Sequence, residues 1–129
     1  IVLGADQMLE CQGEWFDKPS DRMAAIRQIG RLSGQTHRLV SAVAAMRDGE
    51  VIWRAVETAE LTMRPLSRSF IESYLNMAGD QVLSSVGGYQ IEGPGIQLFS
   101  KICGDHFTIL GMPLLPLLAF LRGEGVIAE

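Results

Sequence analysis

An acid after an apolar run, a lysine ahead of a proline, and a glycine-rich stretch holding a tyrosine and a glutamate are the parts of this sequence able to carry chemistry. Asp6 follows IVLGA, which reads as a buried strand by its length and branched residues. In an open α/β sheet, ligands collect outside the carboxyl ends of strands, and an acid there can hold a divalent metal or activate a water. An aspartate in that place also caps turns. Lys18, within FDKPSD, precedes a proline and a helix start. It is either a cation beside a helix N-terminus, where phosphate is cradled, or a solvated lysine in a turn.

The stretch SVGGYQIEGPG, residues 85–95, can bring backbone amides close to a ligand, with Tyr89 as a stacking surface and Glu92 as a polar reader of a base edge. Tight turns around a core tyrosine explain it equally well, and it lacks the spacing of a Walker or Rossmann loop. His37 and His106 have no partners at metal-ligand spacing, so no zinc site is expected, and one of them suits a hydrogen-bonding role in a structured loop. No G-x-S-x-G elbow is present, and neither Cys11 nor Cys103 has a base nearby in sequence.

Several elements must position these residues. The IVLGA strand leads to a hairpin reversing at Gln12-Gly13, then to a helix with Asp21 near its start, Ala25, Ile29 and Leu32 at helical spacing, and Gly34 as its stop. HRLVSAVAAMR and VIWRAVETAELTMR, joined by Asp48-Gly49-Glu50, read as a second hairpin. After Pro65 the period becomes helical over Phe70, Ile71, Tyr74 and Leu75, with Ser69 and Glu72 at capping-box spacing. Gly79 to Gly111 reads as loops and short strands. Leu114, Leu117, Leu118 and Leu121 form the stripe of a core helix whose first turn tolerates Pro113 and Pro116. The fold class is α/β in one domain, residues 1–129, without repeats or a dividing linker.

Composition narrows the function. The 129 residues are 47% hydrophobic and 20% charged, too apolar for disorder. The net charge is −4, and eleven Lys and Arg are scattered among fifteen acids, so the basic stripe of a nucleic-acid-polymer binder is missing. MPLLPLLAFL contains two prolines and is too short for a span of ~20 residues, so no membrane role is expected. Two distant cysteines outside any C-x-x-C pair suit buried thiols in a reducing, cytoplasmic setting.

Taken together, LGADQ, FDKPSD, LSGQTH, GGYQIEGPG and GDHFTILGMPLLPL occur in the order and spacing of the Maf family of nucleoside triphosphate pyrophosphatases, which the chain resembles over nearly its whole length. The resemblance implies hydrolysis of nucleoside triphosphates to monophosphate and pyrophosphate with a divalent cation, Mg or Mn. It also implies an inosine triphosphatase-like mixed sheet with flanking helices and two lobes around a cleft. By the same resemblance Asp6 is the aspartate that binds metal or activates water, Lys18 contacts the phosphates, and Tyr89 and Glu92 stand close to the nucleotide. Many relatives associated with dTTP and UTP have threonine and glutamine where this chain has Gln7 and Glu92, and the pair here is more similar to the branch associated with 7-methyl-GTP. A carboxylate can accept from two donors of a guanine, whereas uracil or thymine offers one. Family members also carry an S-x-R-R loop ahead of G-A-D, so the chain is expected to be an N-terminally truncated piece of a longer protein. The alternative reading is a regulator of septum formation acting through a protein partner, and an exposed strand edge offers a route to a homodimer.

Overall fold

The computed structural model describes residues 1–129. β1 (Val2–Cys11) turns into β2 (Glu14–Phe16), and α1 (Arg22–Leu32) leads to β3 (Thr36–Arg47), which turns into β4 (Glu50–Met63). α2 (Arg68–Ala78), three short 3-10 turns, β5 (Phe99–Cys103), α3 (His106–Leu110) and α4 (Leu114–Gly123) follow. Both expected hairpins form. φ is 53° and 82° at Gln12 and Gly13, and 51° and 79° at Asp48 and Gly49. Positive values at both central residues give the two-residue turn whose twist matches that of its strands.

The sheet has the order β2-β1-β3-β4-β5, and every neighbouring pair is antiparallel, not mixed as the resemblance implied. α1 returns the chain along the sheet, so β3 runs in the direction of β2, but β1 lies between them and no two parallel strands touch. Alternation sorts the faces. His37, Leu39, Ser41, Val43 and Ala45 of β3 are buried, and the residues between them are not. α1, through Ala25, Ile26, Ile29 and Leu32, and α2, through Ile71, Tyr74, Leu75 and Ala78, cover one end of this face above Leu9, Leu39 and Leu61. α3 and α4 cover the other end, where Trp53 stacks on Phe120 with ring centroids 4.7 Å apart.

Several local expectations change. IVLGA is not buried, since Val2 is 68% exposed and β1 is paired only with β3 from Val2 to Met8. Asp6 does not end a strand, because β1 continues to Cys11 and Asp6 lies opposite Ala42. The cap of α2 is Ser67, whose Oγ accepts the Phe70 N–H at 3.1 Å. Ser69 is already inside the first turn, and Glu72 pairs with Arg68. Residues 79–111 form 3-10 turns, one strand and α3 in place of several short strands. α4 lies over the margin of the sheet, so Leu117 is buried while Leu115 is 57% exposed. No helix is long and apolar enough to cross a membrane.

Candidate active site

Three polar residues stand side by side across the helix-covered face: Gln7 on β1 is opposite Ser41 on β3, which is opposite Glu57 on β4. Polar groups in such a place need partners, and α3 supplies them. Gln7 Nε2 donates to the carbonyls of Thr108 at 3.1 Å and Ile109 at 2.9 Å, and to Ser41 Oγ at 3.1 Å. Ser41 Oγ donates to the Thr108 carbonyl at 2.6 Å, and Thr108 Oγ1 donates to Glu57 Oε2 at 2.7 Å. Asp105 caps the helix, Oδ2 accepting the Thr108 N–H at 3.0 Å. A helix of five residues is too short to be stable alone; this polar row fixes it.

The glycine-rich loop faces α3. Gly87 has φ 81°, and a Cβ there would stand 2.8 Å from Leu9 Cδ1 and 2.9 Å from Tyr89 Cε2, so both conformation and space require glycine. Tyr74 Oη donates to the Gly88 carbonyl at 3.0 Å. Tyr89 is 5% exposed, its hydroxyl 2.7 Å from His37 Nε2 and its ring edge-on to Phe99. The ring is packed into the core beside the cavity and does not stand free as a stacking platform. Burial pushes the Tyr74 hydroxyl up to about 12, pushes the Tyr89 hydroxyl further upward, and holds His37 down at about 4, so the imidazole is neutral.

Between loop and helix lies a cavity of about 320 Å³ with Gln7 and Leu39 at its base, Tyr89 and Glu92 on one wall, and Ile109 and Leu110 on the other. The Glu92 side chain is 66% exposed, with Oε1 4.0 Å from His106 Nε2 on α3. Gln7 and Val86 also line two shallower hollows of about 280 and 420 Å³ that contain Asp6 and Lys18. Alternation aims Gln7 at the helix-covered face and Asp6 at the other. Both reach these hollows because β1 is unpaired along that edge. Asp6 Oδ1 accepts the Gln7 main-chain N–H at 2.8 Å. Lys18 is exposed and has no salt bridge.

All five residues singled out from the sequence, Asp6, Gln7, Lys18, Tyr89 and Glu92, therefore line one connected set of hollows. Sequence reasoning missed Asp17, which shares the larger hollow with Asp6 and Lys18, and the Ser41, Glu57 and Thr108 clamp. Asp17 adjoins Lys18 in FDKP and was within reach of that reading. The clamp left only one sign, polar residues at inward positions of apolar strands. No group of three His, Cys, Asp or Glu is placed to enclose a metal. A hard cation held partly by substrate phosphates needs only one or two carboxylates, and Asp6 with Asp17 in the same hollow fits that requirement.

A half-open cavity with polar acceptors thus adjoins hollows with carboxylates and a lysine free of salt bridges, on one α/β domain. The chain belongs to the Maf-like protein family, whose model matches residues 1–124. It is 55% identical over 127 residues to the nucleoside triphosphate pyrophosphatase of Nitrobacter hamburgensis, covering 98% of this chain and 63% of that protein. It is 57% identical over 124 residues to the 7-methyl-GTP pyrophosphatase of Brucella abortus biovar 1, covering 96% of this chain and 62% of the relative. The chain thus spans less than two thirds of the length of these curated relatives.

Proposed function

We propose that these residues form the base cavity and part of the phosphate site of a metal-dependent nucleoside triphosphate pyrophosphatase of the cytoplasm, which hydrolyses its substrate to nucleoside monophosphate and pyrophosphate. The observation that carries this reading is the continuity between the Glu92-lined cavity and the hollow shared by Asp6 and Lys18; the names of the relatives support it. The base enters the cavity and the triphosphate runs out along the unpaired edge of β1. Lys18 neutralises non-bridging oxygens as a point charge, and Asp6 accepts the proton of the attacking water or helps hold the cation. Asp17 and Asp6 would hold a Mg or Mn ion, which would supply charge neutralisation; with positioning, that is most of what phosphoryl chemistry needs.

For the base, Gln7 has its amide N–H groups committed to α3 and Ser41, which leaves Oε1 as its free group. That oxygen and the Glu92 carboxylate are both acceptors, and a guanine offers them two adjacent donors. The favoured substrates are therefore guanine triphosphates, with 7-methyl-GTP first among them. The test is pyrophosphate release from GTP, 7-methyl-GTP, UTP and dTTP with Mg or Mn, using protein of the relatives' full length. A folded protein that leaves all four intact ends this reading.

A further inference from the structure

His37 does not line the cavity, yet it holds the residue that does. Its side chain is 1% exposed, its Nδ1 has no hydrogen-bond partner, and its one polar contact is Tyr89 Oη. Its position on β3 faces Leu61 of β4, so a leucine would meet the packing need without an unmet buried nitrogen, which is a cost. The proton inventory fixes the direction of the bond. If Tyr89 donates to Nε2, only the Nδ1–H is left unmet; if Nε2–H donates, both Nδ1 and the tyrosine proton are unmet. Tyr89 is thus the donor and neutral His37 the acceptor.

We propose that His37 is a positioning residue that sets the depth of the base cavity through the Tyr89 hydroxyl. The inference rests on the nucleotide reading of the cavity. Tyr89 follows two glycines with φ of 81° and 76°, a backbone with little stiffness of its own. Two hydroxyl bonds fasten it: Tyr89 to His37 on β3, and Tyr74 on α2 to the Gly88 carbonyl. Without the first, the ring has no anchor on β3 and is free to turn toward the cavity and shorten it.

Full-length protein carrying His37→Leu, His37→Gln, Tyr89→Phe or the pair His37→Leu/Tyr89→Phe tests this by KM and kcat for the triphosphate, by calorimetric binding of guanosine monophosphate without metal, and by Tm. His37→Leu is expected to weaken both KM and monophosphate binding about tenfold with kcat changed by no more than about threefold, since cavity depth acts on ground and transition states alike. His37→Gln, whose amide oxygen can accept from Tyr89, should restore most of the affinity, and the double variant should bind no worse than His37→Leu. Affinity unchanged in His37→Leu while Tm falls, or losses that add in the double variant, would overturn the proposal. Should His37→Leu fail to fold, the near-isosteric Tyr89→Phe decides, and unaltered affinity in it counts against the proposal. A wild type that neither binds nor hydrolyses nucleotide removes the functional reading itself, and the proposal with it.

Discussion

Gln7 Nε2 lies 3.1 Å from the carbonyl oxygen of Thr108, a residue 101 positions away, and so meets a carbonyl in the last turn of α3 that the helix does not fully satisfy. The side chain on β1 serves as a cap for a helix elsewhere in the chain. Gln7→Ala should therefore cost about 1–3 kcal/mol, chiefly because the Ile109 carbonyl loses its side-chain donor, while that of Thr108 keeps Ser41 and the Gly111 N–H. Urea unfolding measures it, and faster amide exchange at Ile109 and Leu110 should accompany the loss. An unchanged midpoint would mean that Ser41 holds α3 alone.

The same pair shows what the sequence discloses. Turns and helices have local causes: Gln12-Gly13, Asp48-Gly49 and a helix start at Asp21 were all legible, and Asp21 proves to be the cap itself. Asp6, Lys18, Tyr89 and Glu92 stood out by type and neighbourhood and Gln7 by the family resemblance, and they meet in connected hollows. The Gln7 contacts were invisible, because strand register over a hundred residues decides whether an amide reaches a base or a helix end. Asp6 was misplaced at a strand end for a related reason: polar residues after an apolar run look like a terminus, when Gln7, Glu10 and Cys11 in fact continue β1.

Asp6 is exposed and gives its carboxylate one local bond, to the Gln7 N–H. Asp6→Asn keeps its shape and an acceptor oxygen, so stability should stay within about 0.5 kcal/mol of wild type. Turnover should fall roughly 10²–10⁴-fold, the range for loss of a general base. Parallel measurement of Tm and pyrophosphate release separates the effects, and comparable turnover in the variant would remove Asp6 from the chemistry.

Lys18 has no carboxylate partner to release. Lys18→Ala should leave Tm nearly unchanged and weaken triphosphate binding about tenfold, the scale of one charge-assisted bond. Binding of the nucleoside alone should be unaffected. Equal losses for nucleoside and triphosphate would indicate a disturbed loop and not a lost phosphate contact.

Glu92 stands on the loop wall of the cavity with only His106 near it. Glu92→Gln replaces an acceptor-only group by one that also donates, which opposes the two donors of guanine. The ratio of kcat/KM for 7-methyl-GTP over UTP should fall by roughly 10²-fold, with stability unchanged. A constant ratio would move base recognition elsewhere in the cavity.

His37 links the cavity to pH. Its folded-state pKa is held down at about 4 by burial, against an ordinary value of 6.5. Between those values the unfolded chain binds the proton and the folded chain does not, so stability falls as pH drops through that window and is fully present above 6.5. The whole gap corresponds to about 3 kcal/mol. No carboxylate is bonded to the ring to offset this, since its contacts are Tyr89 and Phe99. Between about pH 7 and about pH 5 wild type should lose about 2 kcal/mol more than His37→Gln. Carboxylates that titrate near the lower limit affect both proteins alike, so the difference between the two urea-unfolding curves isolates the imidazole. Equal losses in the two proteins would show that folding does not hold the proton off His37.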